Sequence, residues 1–357
     1  MGERIEGRVV AITGGGRGIG AATAAALAAK GARVVIGDID LDVATETAAR
    51  IGHGVRASRL DVTDAASFRA FLDEAEAEVG PLDVLVNNAG IMPLATVRDE
   101  HEDVTARILR LNVEAVIRGT REAVRRMVPR GCGHIVNVAS TEGCAGIPGG
   151  ATYCASKSAV ITFSEAAELE VRDAGVRVSC VMPAIVHTEL SSGLAELRGV
   201  TSVTPEDVAD AIVAALVEPR FEVFVPAYAG MIVHTLRLLP RRSREWLTHR
   251  LGADRVLLDA VKSDARRAYE SRATGAGRAG EAEPAAKKRA AGDAVPKKRT
   301  TKASAAAPKK RAAAKGAAKS STGAPAKGAA KPSTGAPKKR ASKTRAATAA
   351  PADEGAR

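Results

Sequence analysis

A chain of 357 residues with 53 lysines and arginines against 41 aspartates and glutamates is too long for one small domain. Its charge is divided sharply along its length: residues 275–357 hold 21 basic and 5 acidic side chains, while the first 274 hold 32 and 36. The body is thus net −4 and the tail +16, which excludes a nucleic-acid-binding reading of the body on charge alone.

The N-terminal "MGERIEGR" leads directly into an apolar run and reads as no signal peptide. "RVVAIT" (Arg8–Thr13) predicts a first strand, Ile19–Lys30 a helix and "RVVIGD" (Arg33–Asp38) a second strand. "GVRASRLDV" (Gly54–Val62) is a weaker strand, followed by a helix over Ala65–Val79 and a strand at "LDVLVNN" (Leu82–Asn88). One long helix is expected over Asp103–Val128, then "HIVNVAS" (His134–Ser140) as a strand and Thr152–Asp173 as a helix. "VRVSCVM" (Val176–Met182), a helix over Pro205–Val217 and "FEVFVP" (Phe221–Pro226) close the series. Near-continuous aliphatic strands alternating with helices predict an α/β fold: a doubly wound parallel sheet of about seven strands, Rossmann-type, covered on both faces. The expected organisation is a catalytic domain over 1–226, a helical extension over 227–274 and a basic repetitive tail over 275–357. No uncharged apolar run reaches membrane-spanning length. The four cysteines (Cys132, Cys144, Cys154, Cys180) form neither a C-x-x-C pair nor a zinc-type spacing with histidine. Reduced thiols in a cytoplasmic protein without a metal site are the expectation.

In such sheets ligands bind beyond the carboxyl ends of the strands. The first strand runs into "TGGGRGIG", a glycine turn opening a helix, where a dinucleotide pyrophosphate would meet free N–H groups and the positive helix end. Gly14 allows the tight turn, Gly18 lets backbone approach phosphate, and Gly20 lets helix pack against strand. Asp38, about twenty residues on, would accept from adenosine ribose hydroxyls and repel a 2′-phosphate, which favours NAD. Arg17 argues for NADP, since a guanidinium there could pair with that phosphate. Asp40 fits the helix cap that Asp38 would otherwise supply.

"TYCASK" (Thr152–Lys157) puts Tyr153 and Lys157 on one helix face, a pattern frequent by chance. Its meaning comes from company: Thr13-Gly14-x-x-x-Gly18-x-Gly20, "LDVTD" around Asp61, Asn87-Asn88-Ala89-Gly90, Asn112, Ser140 and Tyr153-x-x-x-Lys157 occur in order. Over roughly Gly7 to Pro226 the chain resembles the short-chain dehydrogenase/reductase family. The resemblance implies that Tyr153 exchanges a proton with the substrate oxygen while hydride moves to or from a nicotinamide. Lys157, together with the positive nicotinamide of the oxidised cofactor, would lower the phenol pKa from its usual value of about 10, and Lys157 would also hold the nicotinamide ribose. Ser140 would bind the substrate oxygen, and Asn112 would hold a water extending the proton relay. Asn88, Ala89 and Gly90 would line the adenosine and ribose side, and Asp61 with Val62 would bracket adenine. Ile19, Pro183, Val186 and Thr188 complete the implied cofactor set, to which Tyr153 and Lys157 also belong. One departure stands out: Pro183 is followed by Ala184 where the family commonly has glycine.

A substrate loop is expected between Thr188 and Val203, with Leu190, Leu194 and Leu197 as its apolar residues. After the last strand, "AYAGMIVHTLRLLPRRSREWLTHRLG" (Ala227–Gly252) is apolar and then basic around Trp246. Resemblance to relatives with such extensions implies an apolar lipid-, steroid- or retinoid-like alcohol or ketone; packing on the body or a partner subunit is the plainer reading. A peripheral membrane contact is a further one, and the family implies a homodimer or homotetramer. The tail contains no Phe, Trp, Tyr, Leu, Ile or Met and cannot bury a core, so disorder is expected. "AKGAAKSSTGAP" (Ala314–Pro325) is repeated almost unchanged as "AKGAAKPSTGAP" (Ala326–Pro337). The tail resembles linker-histone tails and would bind DNA, or another polyanion such as a membrane surface, without sequence preference. A nucleic-acid-binding protein with the dehydrogenase body secondary is therefore the alternative function, and a merely solubilising tail the plain one.

Overall fold

Alternation along each strand sets the layers of this protein. In the computed structural model, which describes residues 4–194, 202–252, 254–261 and 263–274, β1 (Val9–Thr13) is buried throughout. Val10 and Ile12 point into one core and Ala11 into the other. β2 (Arg33–Asp38) divides in the same way, with Val34 and Ile36 on one face and Val35 on the opposite one. A strand buried on both faces belongs inside a parallel sheet with helices on each side.

Seven strands form that sheet, adding β3 (Arg56–Arg59), β4 (Val84–Asn87), β5 (Gly133–Val138), β6 (Val176–Pro183) and β7 (Glu222–Val225). Their order is β3-β2-β1-β4-β5-β6-β7, every pairing parallel. Helices α1 (Gly18–Ala28), α2 (Leu41–Ile51) and α7 (Pro205–Val217) cover the face with Val10 and Ile12. On the other face lie α3 (Ala65–Val79), α5 (Ala115–Met127) and α6 (Ala151–Val171), which bring Phe68, Phe71, Leu72, Met127 and Val171 under Leu85 and Ile135. Caps fix the helix starts. Asp40 accepts from Val43 N at α2, and Asp64 accepts from Ala66 N and Ser67 N at α3.

One difference from the sequence reading bears on the site. The single helix expected over Asp103–Val128 is α4 (Glu102–Leu109), a π-turn at Arg110–Glu114 and then α5. The inserted turn buries Asn112 completely. Beyond β7, α8 (Tyr228–Leu238) and α9 (Arg241–Leu251) are followed by α10 (Val256–Val261) and α11 (Arg267–Thr274). No helix among the described residues is long and apolar enough to cross a membrane. The tail at 275–357, and Leu197 of the substrate loop, lie outside the described residues.

Candidate active site

Strand order reverses between β1 and β4, so the chain leaves their carboxyl ends in opposite directions and a crevice opens there. The loops on its two sides are tied together. Asn88 Nδ2 donates to Thr13 O (3.0 Å) and Gly14 O (3.1 Å), and Thr13 Oγ1 accepts from the N–H groups of Asn88 and Ala89. Gly14 has φ +64°, a left-handed conformation that glycine adopts without strain. A Cβ on Gly20 would come within 2.3 Å of Gly14 O, so α1 approaches the turn closely only because that position is bare. The N-terminal turn of α1 therefore stands open toward the crevice, a cradle that suits a pyrophosphate.

At the end of β2, Asp38 Oδ2 accepts from Gly16 N at 3.0 Å and Oδ1 from Asp40 N at 3.2 Å. Arg17 turns to Asp40, Nη2 to Oδ2 at 3.4 Å, both half-exposed. Asp61 holds its own turn by accepting from Thr63 N and Oγ1, with Val62 and Asp61 on the rim of the same cleft. The cleft has a volume of about 670 Å³, in the range of cofactor and ligand sites. All the residues implied by the sequence line it except Gly20, which sits behind the turn, and Asn112, which sits beneath its floor.

Ser140 follows β5, and Tyr153 and Lys157 lie on the first turns of α6; all three are buried. Lys157 Nζ donates to Val138 O at 2.9 Å and stands 5.8 Å from the Tyr153 ring centre. Burial lowers the Lys157 ammonium to about 8. Burial also pushes the Tyr153 phenol well above its ordinary value, the Glu142 charge adds to this, and the Ser140 hydroxyl opposes it. The lowering expected from Lys157 together with an oxidised nicotinamide belongs to the loaded site; in the protein on its own, burial dominates. Desolvation of a fully buried phenol outweighs a neighbouring cation that is itself desolvated. Asn112 is anchored by its side chain. Its Oδ1 accepts from Ile91 N (2.9 Å) and its Nδ2 donates to Ile91 O (2.8 Å) and Ser156 Oγ (3.1 Å). The side-chain amide thus ties the loop after β4 to α6.

Two parts of the site were missed from sequence. The first is Glu142, two residues past Ser140, whose Oε2 accepts from the Ser140 hydroxyl; Ser140 Oγ also lies 3.2 Å from Pro183 O. A carboxylate spaced two residues from that serine was a visible signal. The second is the C-terminal segment. Arg266, only 1% exposed, donates from Nη1 to Leu190 O and Ser192 O (3.0 Å each), from Nη2 to Met92 O and from Nε to Glu270 Oε1 (2.8 Å). Tyr269 accepts from Met92 N at 2.7 Å, and Leu94 N donates to Glu270 Oε1 at 3.2 Å. Arg272 pairs with Glu189. The segment after Val256 thereby stitches the loop after β6 to the loop after β4. Val256 and Leu257 close an apolar cluster with Met92, Leu94, Tyr153, Leu190 and Leu194.

A parallel sheet with a glycine turn at its switch point, and a buried phenol and amine in the same cleft, defines the class as a dinucleotide-binding α/β enzyme. The family model described as short chain dehydrogenase matches residues 8–198, and the chain belongs to that family. It is an oxidoreductase acting on alcohol or ketone groups. A 3-alpha-(or 20-beta)-hydroxysteroid dehydrogenase of Mycobacterium bovis is 36% identical over 219 residues, 61% of this chain and 80% of that one. A 2-(S)-hydroxypropyl-CoM dehydrogenase 3 of Xanthobacter autotrophicus is 35% identical over 248 residues, 64% of this chain and 97% of its own. The crystal structure of a short chain dehydrogenase/reductase from Burkholderia phymatum in complex with NAD superposes with a TM-score of 0.61 at 29% identity, covering 69% of this chain and 96% of that chain.

Proposed function

We propose that the protein interconverts an apolar secondary alcohol and its ketone with NAD, using Tyr153 as the proton-exchanging group. The observation that carries this reading is a phenol buried between Ser140 and Lys157, where the cleft passes from the glycine turn to the apolar cluster around Met92 and Leu194. The hydroxysteroid named for the mycobacterial relative is an alcohol of that apolar kind. Asp38 at the tip of β2 favours NAD, because its carboxylate would repel a 2′-phosphate. Arg17, the cation that could offset this, is paired with Asp40. The relative solved with NAD agrees with this choice. The extra methyl of Ala184 lines the cleft without closing it.

When bound, the nicotinamide supplies the hydride-transferring ring, and the residues fit it as follows. The turn at Gly14 and Gly18 and the start of α1 at Ile19 would hold the pyrophosphate. Asp61, Val62, Asn88, Ala89 and Gly90 would line the adenosine side, with Pro183, Val186 and Thr188 closing the far end. Tyr153, held as a neutral phenol, donates its proton to the substrate carbonyl oxygen during reduction and accepts it back during oxidation. Ser140 donates to the same oxygen and stabilises its developing charge. Lys157, lowered to about 8, can return a proton towards Tyr153 near neutral pH. Asn112 positions the loop after β4 and so keeps Gly90 beside Lys157; a Cβ on Gly90 would sit 3.6 Å from Nζ.

The test is Tyr153→Phe. Turnover with NAD and a panel of cyclic and steroidal alcohols should fall by roughly 10²-fold or more, because the acid–base group is gone. The dissociation constant for NAD, read by fluorescence titration, should stay within a few-fold of wild type. Retention of a tenth of the turnover would remove Tyr153 from the mechanism.

A further inference from the structure

Beyond β7 the chain displays what a folded protein ordinarily hides. Along α8, Tyr228, Met231, Ile232 and Leu238 fall at helical spacing, and Met231 and Leu238 are 71% and 87% exposed. Ala229 and Gly230 face inward from the same helix, so the stripe points away from the body. In α9 no side chain from Arg241 to Arg250 is buried, and Trp246 is 67% exposed. A helix that buries so little of its described surface, with only Leu247 and Thr248 half-buried, gains little from folding alone and calls for a covering surface.

Charge identifies the cover. Between Tyr228 and Arg250 lie five arginines and one acid, Glu245, which is ion-paired with Arg241 at 2.7 Å. Two copies meeting through this patch would set arginines against arginines, which disfavours a symmetric dimer there. An anionic bilayer surface meets both demands. Leu, Ile and Met side chains enter the headgroup–acyl boundary, arginines meet lipid phosphates, and Tyr228 and Trp246 suit the interfacial layer. We propose that α8 and α9 form a docking surface for anionic membranes. Because α8 also packs on the turn Thr141–Cys144, which carries Glu142, docking would bring the substrate end of the cleft near the lipid.

Trp246 is the only tryptophan in the chain and so reports this contact directly. The full-length protein is mixed with vesicles of phosphatidylcholine, with or without phosphatidylglycerol, some carrying brominated acyl chains. Salt near 0.5 M shortens the screening length to about 4 Å and weakens attachment through the basic tail alone. On phosphatidylglycerol vesicles, Trp246 emission should move to shorter wavelength and be quenched by the brominated chains. The combined variant Met231→Ser, Ile232→Ser, Leu238→Ser should bind at least about tenfold more weakly. Its circular dichroism and turnover of a water-soluble alcohol serve as the fold control. Should it misfold, Arg242→Ser with Arg244→Ser tests the same surface, and its preference for phosphatidylglycerol should fall. Vesicle binding with unchanged Trp246 emission would assign attachment to the tail and overturn the proposal. A blue shift that follows protein concentration without lipid would assign the patch to a second copy, and absence of vesicle binding would equally overturn it.

Discussion

The charge of Glu142 acts on Tyr153 in a way that matters for the direction of the reaction. The carboxylate accepts a hydrogen bond from the Ser140 hydroxyl and, after burial, is the largest influence raising the Tyr153 phenol; it also raises the Lys157 ammonium. Both effects keep protons in the site, which suits donation to a carbonyl. Oxidation needs the opposite and should rise with pH as Tyr153 loses its proton. Glu142→Gln keeps the shape and removes the charge, so both groups should titrate at lower pH. The expected outcome is an alkaline rise in alcohol oxidation whose midpoint moves to lower pH, followed as kcat/KM against pH. Because the amide competes less well for the Ser140 proton, turnover near neutral pH should also increase in the oxidative direction. An unmoved midpoint would mean that Glu142 does not act on the phenol electrostatically.

At the scale of elements, Arg266 joins three parts of the chain that share no sequence neighbourhood. A guanidinium stripped of water is tolerable only with its donors filled, and three carbonyls and Glu270 fill them. Arg266→Met should therefore lower stability by about 3 kcal/mol, read in urea unfolding. It should also loosen the loop at Leu190–Leu194, raising KM for an apolar alcohol while leaving the NAD dissociation constant unchanged. A purely structural residue would lower Tm and leave that split absent. Nothing in "SDARRAYESR" announces this role, since alternating charges on a short helix read as a solvated face. The acceptors lie 74 to 174 residues away and exist only in the fold. The strands were legible for the opposite reason. β2 was expected at its observed limits because a strand buried on both faces writes its extent as an unbroken aliphatic run. The π-turn at Arg110–Glu114 was not legible, since one added residue leaves the apolar period almost unchanged. In the site, helical spacing placed Lys157 beside Tyr153, whereas the depth of burial that raises the phenol in the protein on its own depends on α10 and the loop after β4 packing over it.

The whole molecule divides its charge between a net-negative body and a tail of 21 cations and 5 anions. The tail and the wall of the substrate site adjoin in sequence, since Arg266 and Tyr269 precede residue 275 by only a few positions, and truncation can separate them. A chain ending at Thr274 keeps every contact of Arg266, Tyr269 and Arg272 among the described residues, so its dehydrogenase rate and KM should equal those of the full chain. A chain ending at Ser263 loses those contacts and should show the raised KM expected for Arg266→Met. Binding to duplex DNA should follow the reverse pattern: present in the full chain and absent from the chain ending at Thr274, because the +16 lies in the tail while the body is net −4 overall. Each neutralised phosphate should add about −0.9 to the slope of log affinity against log salt. A slope that stays near zero, or DNA binding by the chain ending at Thr274, would take the electrostatic role away from the tail. If the full chain does not shift DNA at about 50 mM salt, where such contacts are strong, the tail's cations serve solubility and the vesicle-binding surface on α8 and α9 stands as the chain's contact with polyanions.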